Sequence, residues 1–130
     1  MVPQEGSFEN GTHEYEFAFR AHSPREMEKA AELGRQLNSP PQITEMDMED
    51  GEYLRWDAAN IQLSALRRTA DGIQVRLYEN IGRQTTVTLG GKLLDGRNLL
   101  ETDMAGRDPV PREKDAISFR PFEIKTFIIK

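Results

Sequence analysis

The chain contains no cysteine in its 130 residues, so neither a disulfide nor a thiolate metal site can be built from it. That absence favours a reducing compartment, and a cytoplasmic location is expected. Histidine is scarce as well: His13 and His22 are the two present, and neither falls in an H-E-x-x-H pattern or at i,i+4 helical spacing. Strong zinc sites draw on several His or Cys ligands, so no metal site is expected here. No apolar run approaches the ~20 residues of a membrane span, and no membrane partner is expected. The opening MVPQEGSFENG has neither the basic region nor the apolar core of a signal peptide. The 17 basic residues are outnumbered by 22 acidic ones and scattered, which argues against nucleic acid as a partner. There is no G-x-S-x-G, no G-x-G-x-x-G, and no P-loop pattern around Gly90-Gly91-Lys92.

What the chain does have is alternation. In residues 60–89, NIQLSALRRTADGIQVRLYENIGRQTTVTL, Ile61, Leu63 and Ala65 alternate with Gln62 and Ser64. Ile73, Val75 and Leu77 alternate with Gln74, Arg76 and Tyr78, and Thr85, Val87 and Leu89 with Thr86 and Thr88. Period-2 patterning of this kind makes strands with one buried and one solvated face. Asp71-Gly72 and Asn80-Ile81-Gly82 separate the runs as turns, so the stretch reads as a three-strand β-meander. Further breaks at Asp50-Gly51, Gly90-Gly91 and Asp95-Gly96, and a proline-bearing loop over 106–114, space short strands at the interval of an antiparallel β-sandwich. The expected fold is mainly β, an immunoglobulin-like antiparallel sandwich with one amphipathic helix near the N-terminus.

The helix is expected over 24–37. Ser23 suits the N-cap, Pro24 the first helical position, and Glu26 completes an S-x-x-E capping box. Met27, Ala30, Ala31, Leu33, Gly34 and Leu37 form its apolar stripe, expected to lie against the sandwich, and Pro40-Pro41 stop it. Before it, 2–11 is a polar lead-in and 12–20 reads as a strand with His13, Tyr15, Phe17 and Phe19 on one face. Its unpaired apolar edge would invite self-association through Tyr15, Phe17 and Phe19. The expected core is Ile61, Leu63, Val75, Leu77, Val87, Leu89, Phe119, Phe122 and Ile124, with a kink at Arg120-Pro121 restoring the inward face in the last strand.

Residues with chemical potential each carry a plainer reading. His13 shares its strand face with three aromatics and reads as a packing or interface residue. The cluster Asp47-Met48-Glu49-Asp50-Gly51-Glu52 lacks the ligand register of a calcium loop and reads as a solvated hairpin tip. Glu14 and Glu16 sit at nominally the separation of a glycosidase carboxylate pair, yet nothing supplies a pocket around them. Trp56, Tyr53 and Tyr78 have the surface to stack on a sugar ring; for Trp56, burial is the expected fate. No catalytic, cofactor-binding or metal-binding residue is assigned.

Three blocks together resemble a known family. A strand ending in LSALRR, an Asp-Gly turn, IQVRLYEN-x-G and a Thr/Val strand form the first. The others are residues 11–19, GTHEYEFAF, and 120–126, RPFEIKT. In content and order they are similar to the C-terminal β-sandwich region of family 38 glycoside hydrolases, the α-mannosidases. The resemblance implies a fragment of a larger retaining enzyme acting on terminal α-linked mannosides, and Met1 would not be its natural start. In that family the catalytic aspartate and the zinc ligands lie in an upstream domain. No residue here matches those motifs, so none is carried over and zinc is expected only in the missing catalytic domain. Residues 1–41 would be a lead-in strand and helix ending an upstream β domain, and 42–130 the C-terminal sandwich. The implied partners are the upstream catalytic and β domains of the same enzyme. The rival reading is an independent carbohydrate- or protein-binding sandwich.

Overall fold

The computed structural model describes residues 11–39 and 49–130. In chain order it contains α1 (Met27–Asn38), β1 (Arg55–Trp56), β2 (Ile61–Thr69), β3 (Gly72–Glu79), β4 (Thr85–Val87) and β5 (Leu89–Gly90). A 3-10 turn at Lys92–Leu94 follows, then β6 (Leu99–Thr102), β7 (Val110–Arg112), β8 (Ile117–Phe119) and β9 (Ile124–Ile129). Every strand pair is antiparallel. One layer is a five-stranded sheet in the order β2-β3-β9-β6-β7. The other is made of the two-stranded ribbons β1-β5 and β4-β8, with the 3-10 turn beside them.

The core lies between the layers, as a two-faced sandwich requires. Ile61, Val75, Leu77, Leu99, Phe127 and Ile129 reach in from the large sheet. Val87, Leu89, Leu94, Ile117 and Phe119 meet them from the other side. The β2–β3 hairpin forms where the alternation and Asp71-Gly72 place it. Gly72 has φ 135°, and a Cβ there would collide with the Ile129 carbonyl oxygen, so only glycine fits. β9 is central, and its stretch from Thr126 to Ile129 is buried on both faces.

Several expectations are corrected. The third run of the alternating stretch does not join the first two as a meander: β4 pairs with β8 in the opposite layer. The turn after Glu79 is clamped to that residue's own carboxylate, which redirects the chain across the sandwich. Leu63 is 41% exposed although it pairs with Leu77, because β2 is an edge strand; the bulge that follows it shifts the register from Ala65 onward. Phe122 and Ile124 are also exposed. Phe122 adopts φ 58° in a turn, which shifts the alternation by one residue, so Phe127 and Ile129 face the core instead.

The 12–20 stretch is not a strand. It has no regular structure and every residue is exposed, since no described strand lies beside it to satisfy its backbone. Its side chains still alternate, with His13, Tyr15 and Phe17 rings in sequence at 6.3 and 6.4 Å between centroids. The helix begins at Met27, three residues later than expected. The Ser23 N–H donates to Glu26 Oε2, but Ser23 Oγ also donates there instead of capping a helical amide. Nor does the apolar stripe of α1 seat on the sandwich: no α1 residue is buried. The second layer already fills the core, and α1 meets the sandwich through an ion pair, Glu28 with Arg83 at 2.8 Å. Ala30, Leu33, Gly34 and Leu37 face a cleft shared with Ala18, Phe19 and His22. All but the last residue of the expected 2–11 lead-in, the Pro40-Pro41 stop, and Asp47-Met48 lie outside the described residues.

Candidate functional site

Glu79 ends β3 and is 1% exposed, the most deeply placed carboxylate of the described chain. Its Oε1 accepts from Asn60 Nδ2 at 2.9 Å and the Ile81 amide at 3.0 Å. Its Oε2 accepts from the amides of Gly82 at 2.7 Å and Phe122 at 2.9 Å. Burial pushes this carboxyl upward, but the converging donors outweigh burial and hold it at about 2. It is therefore a fixed anion that ties three turns together at one end of the sandwich. With its lone pairs occupied and no solvent contact, it cannot shuttle protons to a ligand.

Glu101, on β6, is the second carboxylate of interest. It accepts from Lys125 Nζ at 2.6 Å and Arg112 Nε at 2.7 Å. Burial raises its pKa, yet the two cations hold it below the usual carboxylate value. A half-open cleft of about 1020 Å³ runs past it, between the β6–β7 hairpin and the 113–118 segment. Acidic and basic side chains alternate along this cleft, and no aromatic ring lines it. A carboxylate neutralised by two cations is a poor nucleophile and a poor proton donor at neutral pH.

The residues singled out in the sequence are not brought together. His13, Glu14 and Glu16 lie on the exposed 11–22 segment. His22 Nδ1 lies 2.9 Å from the Ser23 carbonyl oxygen. Among the described residues no group of three or more His, Cys, Asp or Glu could hold a metal ion, so the residues present do not fit zinc. Of the acidic tip, Glu49 pairs with Lys92 at 3.2 Å and Tyr53 Oη donates to the Glu49 carbonyl at 2.9 Å. Trp56 is half-buried against the core, with Nε1 donating to the Ile61 carbonyl at 2.8 Å. Tyr53 and Tyr78 are also half-buried. The one strongly exposed aromatic of the described sandwich is Phe122, at 69%.

Glu79 and Glu101 are not singled out by sequence reasoning, which assigns Phe122 to the core rather than to the surface. A signal for Glu79 did exist: an acidic residue at a strand end directly before Asn-Ile-Gly is placed to accept from the turn amides. The Glu101–Lys125–Arg112 cluster depends on pairing between β6, β7 and β9, which no local pattern reveals.

Against known families, the model of the glycosyl hydrolases family 38 C-terminal beta sandwich domain matches residues 60–127. The match opens at Asn60, which holds Glu79, and closes within β9; α1 and β1 lie before it. No curated protein and no solved structure matches the chain.

Proposed function

The chain belongs to the family of glycosyl hydrolase family 38 C-terminal β-sandwich domains, and from that premise we propose that it is the non-catalytic sandwich of an α-mannosidase. Its role is structural: it packs against the upstream catalytic and β domains of the same polypeptide, which hydrolyses terminal α-D-mannosides. The family match over residues 60–127 carries the reading. The state of the carboxylates supports it. Retaining hydrolysis needs two carboxyl groups about 5 Å apart flanking a bound sugar, whereas Glu79 is enclosed and Glu101 neutralised. Zinc, in this reading, belongs to the upstream domain.

An independent sugar-binding sandwich would present two or three coplanar exposed rings. Half-burial of Trp56, Tyr53 and Tyr78 favours the packing role over that alternative. The test is expression of the parent reading frame with and without residues 60–127. The packing role predicts that the shortened enzyme loses thermal stability and mannosidase activity together. An upstream polypeptide equally stable and active without this segment would overturn it.

A further inference from the structure

Where the two layers part at the β2–β3 hairpin end, a pocket of about 580 Å³ opens beside the 3-10 turn. Its floor is apolar: Ile129 is 2% exposed, and Ile73 and Leu93 are half-buried beside it. Leu66, 48% exposed, lines it from the edge strand. The remaining side chains are all cationic, namely Arg67, Arg68, Arg97 and Lys130. No described acidic residue lines the pocket; Asp71 and Asp95 stand in the turns alongside.

This arrangement is unlike the rest of the sandwich. Arg83, Arg107, Arg112, Arg120 and Lys125 are each paired with a carboxylate. Arg67 donates from Nε to Gln74 Oε1 at 2.5 Å. The side chains of Arg68, Arg97 and Lys130 have no hydrogen-bond or ion-pair partner among the described residues. In a chain of net charge −5, convergence of unpaired cations around one apolar floor is a local reversal of sign.

We propose that this pocket binds a small organic anion with an apolar body, of the alkyl carboxylate class. The body covers Ile73 and Leu93, which are otherwise partly wetted at the mouth above the buried Ile129, and the carboxylate lies among Arg68, Arg97 and Lys130. Arginine suits the second task because its planar donors match a carboxylate in pairs. An inorganic anion would leave the floor wet, and an apolar cation would meet like charge. The site goes beyond the packing role and does not depend on it.

The experiment is a titration of the isotopically labelled full chain with octanoate, octylamine and inorganic phosphate, read by amide chemical shifts. Octanoate is expected to shift Arg68, Ile73, Leu93, Arg97 and Ile129 saturably. Its affinity should fall roughly tenfold or more on replacing Arg68 and Arg97 together by Glu, and fall with added salt. Neither arginine side chain is bonded within the described chain, so the variant should keep the dispersed spectrum. If it does not, the Arg68→Gln/Arg97→Gln pair is used with the same expectation of weaker binding. No saturable shift with octanoate, equal response to octylamine, equal response to phosphate, or shifts scattered over the whole surface would each overturn the proposal.

Discussion

The amide of Phe122 donates to Glu79 Oε2 across 43 positions of sequence, at 2.9 Å. Phe122 holds φ 58° in making this bond, a conformation that bulky side chains rarely adopt. Its ring lies over Gly82, where a Cβ would come within 2.8 Å of Cζ. Glu79 thus fixes the strand end, the crossing turn and the entry to β9 at once. Replacing Glu79 by Gln turns an amide donor toward backbone donors, and about 2–4 kcal/mol of stability should be lost. Urea unfolding checks this, and a loss below about 1 kcal/mol would contradict the assigned bonding.

The same carboxylate sets a pH dependence. Its folded pKa, about 2, lies below the ordinary glutamate value of 4.5. A depressed acid stabilises above its unfolded pKa and loses that contribution as pH falls through the folded one. Stability should therefore decline from about pH 5 toward pH 2, with on the order of 3 kcal/mol attributable to Glu79. In Glu79→Gln this part of the acid slope should vanish. An identical slope in the variant would show that Glu79 is not the group responsible.

Leu63 and Leu77 face each other across the β2–β3 ladder, yet their surroundings differ: Leu77 is fully buried and Leu63 is 41% exposed. Leu77→Ala should cost roughly 2–5 kcal/mol, while Leu63→Ala should cost less than about 1 kcal/mol. Equal losses in thermal or urea unfolding would contradict the different burial of these two side chains.

Local patterns were legible in the sequence, and long-range ones were not. Alternation with Asp71-Gly72 located the β2–β3 hairpin and the inward positions Val75 and Leu77. It could not disclose that β9 inserts between β3 and β6, because those pairings join residues 46 to 56 positions apart on one side and 24 to 30 on the other. The errors at Phe122 and Ile124 share one cause, whereas Leu63 is exposed because β2 lies at the edge of the sheet. The left-handed residue Phe122 reverses the inward assignments that follow it in the last strand. The amphipathic stripe of α1 was also legible, but the helix's seat depended on whether the second layer had already closed the core. Glu79 shows the limit for sites: its donors come from three separate segments, and only one of them is adjacent in sequence.

Self-association through the lead-in is proposed from its composition and exposure. Tyr15, Phe17 and Phe19 are 73%, 76% and 95% exposed. Contiguous exposed aromatics favour contact between copies. Light scattering should show dimers or larger species at high concentration, and replacing all three by Ser should restore a monomer. A wild-type chain that stays monomeric at every concentration would contradict this.

The most direct measurement is hydrolysis of an aryl α-mannoside by the chain alone, with and without added zinc. Glycoside cleavage needs positioned carboxylates, or a carboxylate with a metal, around an oxocarbenium-like transition state. The account predicts no release above background in either condition, and activity only when the upstream catalytic domain is supplied. Turnover by the chain alone that survives repurification and is abolished by Glu14→Gln or Glu16→Gln would contradict it.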